Sequence, residues 1–183
     1  MKKEKEINFK GRDYARFILI LFIIGSIIGY TYEVIWYLIE DGKLINPGFM
    51  YGPFLPIYGF GAILLTLVLD HKKIKKYPFL VFVLGFVVTG ILEYFGGYFL
   101  YQIYHLRWWD YTGMFLNING FICLRSLTVF ACAGVVLVYF LLPRIKLILS
   151  KANKLYVDII IIISAILMLS DTLISAFTRY KIK

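Results

Sequence analysis

The chain has 183 residues, of which 61% are hydrophobic, 19% aromatic and 17% charged, with a net charge of +9. A soluble domain is about 45–50% apolar and about 25% charged, and a chain this short cannot bury so much apolar surface. Low hydrophobicity, which disorder requires, is also absent, so the composition points to an all-α integral membrane protein.

Five apolar stretches approach the roughly 20 residues that cross a bilayer as helix. They are 17–39, 51–69, 77–101, 124–142 and 155–177. The first follows a basic start, but it is too long for a signal peptide and no A-x-A-like site follows. It reads as a retained anchor. The second is broken early by Pro53 and Pro56. The domain plan is a basic tail (1–16), one transmembrane domain (17–177) and a short basic tail (178–183).

Cations orient the spans. Lys2, Lys3, Lys5, Lys10, Arg12 and Arg16 precede span one, and Lys72, Lys73, Lys75 and Lys76 follow span two. Arg144, Lys146, Lys151 and Lys154 follow span four. These alternate segments hold fourteen of the twenty Lys and Arg residues. The positive-inside rule places them in the cytoplasm, with the N-terminus inside the cell membrane and the C-terminus outside. The positive charge then records topology rather than nucleic-acid binding. Segment 143–154 either lies along the inner interface or is a plain connecting loop.

Ionisable groups inside spans are costly and point to function by default. Glu33, Glu93 and Asp171 fall in the outer halves of spans one, three and five. Gly29, Tyr30, Trp36 and Tyr37 share a helix face with Glu33; Thr89, Gly90, Gly96 and Gly97 share one with Glu93. Ser164, Asp171, Ser175 and Thr178 form a polar stripe on span five. Gly25 and Gly29 form a small-residue packing pair. Either these acids hold the bundle together, protonated or paired with Arg107 or Arg125, or they form a ligand or proton site. Asp70 and Asp158 read as ordinary interfacial residues.

Two irregular segments belong to the same side. Residues 46–53 hold two prolines and two glycines, a turn-rich entry to span two. Between spans three and four, Arg107-Trp108-Trp109-Asp110-Tyr111 suits the headgroup level. Residues 114–123 are too short to span and too apolar for a free loop, so a re-entrant or interfacial segment is expected there. Irregular backbone at membrane depth is tolerated against protein or a wet cavity. The expected cavity is lined by Glu33, Glu93, Asp110, Asn119 and Asp171, with Arg107 and Arg125 as cations and Tyr51, Tyr58 and Trp109 as aromatic wall.

No P-loop, H-E-x-x-H or G-x-S-x-G motif occurs. His71 and His105 fall on opposite sides, so no metal and no cofactor are expected. Cys123 and Cys132 fit no zinc or redox spacing and read as two buried thiols. Glu93 and Asp110 could divide acid and base roles, although nothing in the sequence separates them.

Within 29–127 the motifs resemble one known family. They are Tyr32-Glu33; the run Gly48-Phe49-Met50-Tyr51-Gly52-Pro53-Phe54-Leu55-Pro56-Ile57-Tyr58-Gly59-Phe60-Gly61; Leu92-Glu93-Tyr94; Trp108-Trp109-Asp110-Tyr111; and Phe115 through Leu124. Together they resemble the CmpB-like ABC transporter permeases, labelled putative ABC-transporter type IV. The family often carries glutamate where this chain has Tyr101, arginine where it has Phe121, and Trp-Gly near Val129-Phe130. The resemblance implies a transporter component with a separate ATPase subunit, for which only 143–154 offers a docking element; a homo-oligomer is the other assembly considered. Two other roles compete: a membrane-embedded enzyme or lipid-binding protein at the outer leaflet, and a structural or regulatory subunit.

Overall fold

The computed structural model describes residues 7–179, the side chain of Arg179 excepted. Lys2, Lys3, Lys5, Lys181 and Lys183 lie outside the described residues. The chain is an all-α membrane protein. Its helices are α1 (Gly11–Asp41), α2 (Pro56–Leu69), α3 (Lys72–Lys75), α4 (Pro78–Tyr104), α5 (Leu124–Val136), α6 (Leu142–Lys151) and α7 (Lys154–Arg179). A π-helical turn, Leu137–Leu141, joins α5 to α6 as one continuous helix. Among the described residues there is no strand, only an isolated bridge between Ile118 and Ile122.

Among the described residues four helices are long and apolar enough to cross a membrane: Gly11–Asp41, Pro78–Tyr104, Leu124–Lys151 and Lys154–Thr178. Their outward rows are apolar; on α7, Ile162 is 57% and Leu169 66% exposed. Such surface is stable only against lipid or another protein. In the second span's place stands α2, with 14 residues, about 21 Å long. It begins at Pro56 rather than at residue 51, because 46–55 is held as a non-helical loop.

Local chemistry sets the boundaries. α1 stops at Gly42, whose φ of 65° is the left-handed cap that glycine adopts without strain. Pro78 opens α4 in its first turn, where a missing N–H costs nothing. At the start of α5, the Cys123 thiol accepts from Ser126 N–H, while the Ser126 hydroxyl accepts from Cys123 N–H, a reciprocal cap. Pro143 lacks an N–H and crowds the carbonyl four residues back. The π turn immediately before it accommodates this, with Leu142 N–H bonding to the Leu137 carbonyl. Segment 143–154, expected either along the inner interface or as a plain connecting loop, is not a plain loop. α6 carries it as helix, and only Ala152 and Asn153 turn the chain into α7.

The helices gather into two compact units, the described parts of Met1–Phe60 with Pro143–Lys183, and Gly61–Leu142. In the first unit α1 packs on α7. Arg16 donates to both oxygens of Asp158 at 2.6 Å, and Asp13 accepts from Arg16 and Lys154, each at 2.8 Å. Asp158 is thus a clamp between the two helix starts, more than an interfacial residue. Val157, Met168 and Ser175 form the buried stripe of α7.

In the second unit α4 and α5 form the main pair. The buried face of α4 is Val81, Gly85, Thr89, Glu93 and Gly97, a strict four-residue spacing. Gly85 meets Ala131, and Gly90 meets Leu127. At the other end Asp70 pairs with Lys75 at 2.7 Å, and Tyr139 donates to the Lys75 carbonyl at 2.7 Å. His71 caps α3 and His105 caps α4, so the 27 residues of α4, about 40 Å of helix, separate them. Of the cysteines, Cys123 is buried as expected, whereas Cys132 lies on the exposed side of α5.

Candidate functional site

In the first unit, Glu33 sits half-buried on α1 and accepts a hydrogen bond from the Tyr58 hydroxyl. Close approach makes this pair possible. A Cβ on Gly29 would enter the Tyr58 ring, and one on Gly59 would lie 2.6 Å from the Phe22 carbonyl. Leu55 N–H donates to the Ser26 carbonyl at 3.1 Å. The small residues at this contact are Ser26 and Gly29, buried side by side, whereas Gly25 is only partly buried.

Asp171 anchors the 46–53 loop. Its Oδ2 accepts from Gly52 N–H at 2.7 Å; its Oδ1 accepts from Tyr51 N–H at 3.0 Å and from the Ser175 hydroxyl at 3.2 Å. The Tyr51 hydroxyl shares a hydrogen bond with Thr178 at 3.0 Å. Loop N–H groups with no helical partner need an acceptor, and this carboxylate supplies it. Three residues of the expected polar stripe, Asp171, Ser175 and Thr178, thereby act in one loop anchor.

In the second unit, Glu93 is buried, with Oε1 accepting from the Tyr111 hydroxyl at 2.7 Å and Oε2 from the Ser126 hydroxyl at 3.0 Å. One acid thus ties α4 to the start of α5 and to the 105–123 loop. That loop is folded tightly. Ile118 N–H bonds to the Ile122 carbonyl and Phe121 N–H to the Ile118 carbonyl, each at 3.0 Å. Both residues between, Asn119 (φ 51°) and Gly120 (φ 71°), are left-handed, as a type I′ turn requires. The Trp109 indole donates to the Phe121 carbonyl at 2.9 Å, and both rings close on Gly97. Asp110 accepts from Thr112 N–H at 2.9 Å and from the Thr112 hydroxyl at 2.5 Å. These bonds, with the Arg107 charge beside them, hold its carboxyl below the usual aspartate range.

Beside this loop opens a pocket of about 470 Å³, lined by Tyr94, Tyr98, Tyr101, Gln102, Arg107, Thr112, Asn117, Asn119, Gly120 and Phe121. Positions 94, 98, 101 and 102 are one face of α4. Phe121 forms part of its base, 6% exposed, with ring centres 5.7, 6.2 and 6.1 Å from Tyr94, Tyr98 and Tyr101. Asn119 donates to the Tyr94 hydroxyl at 3.0 Å.

Of the residues expected at a site, Arg107 and Asn119 line this pocket. Glu93, Asp110 and Trp109 belong to the same unit but are not among the lining residues, although Asp110 bonds to the lining residues Arg107 and Thr112, and Arg125 is exposed in the first turn of α5. Glu33, Asp171, Tyr51 and Tyr58 belong to the first unit. The tyrosine face of α4 was missed in the sequence, although its spacing was visible there. Among the described residues no three His, Cys, Asp or Glu side chains converge as metal ligands.

Neither the curated proteins nor the solved structures contain a match to the chain. A family model does match it, over residues 20–176, most of its length, from within α1 to near the end of α7. The apolar helices, the shared core of α4 and α5 and that match lead to one assignment: the chain belongs to the family described as Putative ABC-transporter type IV.

Proposed function

We propose that the chain is the membrane-spanning, permease-like subunit of a transporter in the cell membrane, with its pocket open to the extracytoplasmic side. The family match over 20–176 carries this reading. Charge distribution supports the orientation. Lys72, Lys73, Lys75 and Lys76 stand at the far end of α4 from the pocket, and the positive-inside rule assigns that end to the cytoplasm. In this reading residues 17–177 work as one transmembrane domain. Glu33, Glu93 and Asp171 act as internal clamps, and the solute enters beside Arg107 and Asn119.

A separate ATPase would engage the cytoplasmic end, where α6 presents Arg144 and Lys151 on an exposed helix. Purification of the tagged full chain from its native membrane in mild detergent tests this. An ATPase subunit co-purifying in fixed ratio is expected. Recovery of the chain alone, or only with copies of itself, refutes the ABC-type assignment.

A further inference from the structure

Among the described residues Arg107 is the one charged residue lining the pocket. Its guanidinium is fixed before any ligand arrives. Nη1 donates to the Asn119 carbonyl at 2.8 Å and to Asp110 at 3.3 Å. The guanidinium carbon lies 4.9 Å from the Phe121 ring centre and 5.6 Å from that of Tyr101. Gly120 admits it, because a Cβ there would collide with Arg107 Nη1 and lie 2.6 Å from the Thr112 hydroxyl. The left-handed φ of Gly120 and this lack of space make the same demand for glycine.

Two donors remain. Among the described residues Nε and Nη2 have no hydrogen-bond partner. That edge of a guanidinium grips a carboxylate through two parallel bonds. Asp110 does not occupy it: its contact is with Nη1, and its closer partner is Thr112. The remaining wall combines the rings of Tyr94, Tyr98, Tyr101 and Phe121 with Gln102, Thr112, Asn117, Asn119 and Gly120. Sites for small organic molecules are typically about 300–1,000 Å³, mainly apolar, with a few placed polar groups. This pocket has that make-up and one fixed cation.

We propose that the pocket binds a small organic anion, its carboxylate on the Nε–Nη2 edge of Arg107 and its apolar body against the tyrosine face of α4. The assignment rests on the transporter reading for its purpose, but binding is measurable on the purified chain alone.

The test is calorimetric titration of the full chain in neutral detergent. Probes are benzoate, hexanoate and succinate, with benzamide and hexanamide as neutral analogues, and with inorganic phosphate and phosphatidylglycerol as other oxyanion sources. At least one carboxylate should bind, with its amide at least tenfold weaker. Arg107→Gln should weaken the carboxylate by at least tenfold. Gln102→Trp, at an exposed lining position, should block binding while leaving the melting temperature unchanged, so the result survives if the arginine variant misfolds. Failure of all three carboxylates, equal binding of acid and amide, or full binding by Gln102→Trp overturns the proposal. So does binding of phosphate or phosphatidylglycerol alone. Carboxylate binding without any co-purifying ATPase keeps the site and removes the transporter reading; an ATPase without carboxylate binding does the reverse.

Discussion

Asp171→Asn isolates what one carboxylate does for the 46–53 loop. In the native chain both oxygens accept backbone N–H groups, from Gly52 at 2.7 Å and Tyr51 at 3.0 Å. Asparagine keeps one acceptor and turns the other into an NH₂ facing a backbone N–H. One bond to a charged acceptor is lost and two donors oppose each other. Such a bond contributes about 1.5–3 kcal/mol. Tyr51 is exposed and its N–H can turn to water, whereas Gly52 is half-buried. The amide therefore settles with its oxygen toward Gly52, and the loss lies near 2 kcal/mol, the lower part of that range. For a chain of this size that is a fall of roughly 4–8 °C in melting temperature. Thermal denaturation of the detergent-solubilised chain reads it. Gly52→Ala attacks the same bond from the other side, because its Cβ would lie 2.9 Å from Asp171 Oδ2. The double variant should be clearly less destabilised than the two single losses added together. Asp171→Asn melting with the wild type, or full additivity, would show that the loop does not depend on this acid.

Three further outcomes follow from the second unit. Glu93→Ala strips acceptors from the Tyr111 and Ser126 hydroxyls and should cost about 1–3 kcal/mol, while Glu93→Gln, which Ser126 can meet by rotating its hydroxyl, should cost clearly less; chemical denaturation compares them. Gly97→Ala places a Cβ 2.9 Å from Phe121 and 3.0 Å from Trp109, an overpacking of about 1–3 kcal/mol that should also alter tryptophan fluorescence. Folding holds the Asp110 carboxyl below its ordinary value of 3.8. Its contribution is therefore complete above that value and disappears as pH falls through the lowered one. Melting temperature measured from about pH 5 to pH 3 should fall more steeply for the wild type than for Asp110→Asn.

Hydropathy alone marks the long helices, because a run such as 155–177 has no other stable use. It marks their ends poorly. α1 begins at Gly11 rather than 17, since its first turns are held by the ion pairs of Asp13 and Arg16 and not by apolar content. Pro143 reads as a stop, yet the helix continues, because a π turn absorbs the missing N–H. The acids stand out in the sequence as rare charges within apolar runs. Their partners do not: Tyr58, Tyr111 and Ser126 are 25, 18 and 33 residues away, and no local pattern encodes such contacts. The pocket was half legible. Asn119-Gly120 is a strong turn signal, and the tyrosines of α4 follow helical spacing. Tyrosine also suits a membrane interface, and that use hides its use as a wall.

The π turn at Leu137–Leu141 bears on how this helix tolerates insertion and deletion. A π turn is the trace that one inserted residue leaves when the helix on either side keeps its place. Each residue advances an α-helix by about 100°. Deleting one residue inside the turn would restore regular pitch and leave both flanks in place, so Leu142 and Ile145, now buried, would keep their packed positions. Deleting one residue from the α-helical part on either side would instead rotate one flank against the other by more than a quarter-turn. The hydropathy profile would barely change in either case. Two one-codon deletions a few positions apart are thus alike in composition and opposite in their effect on packing.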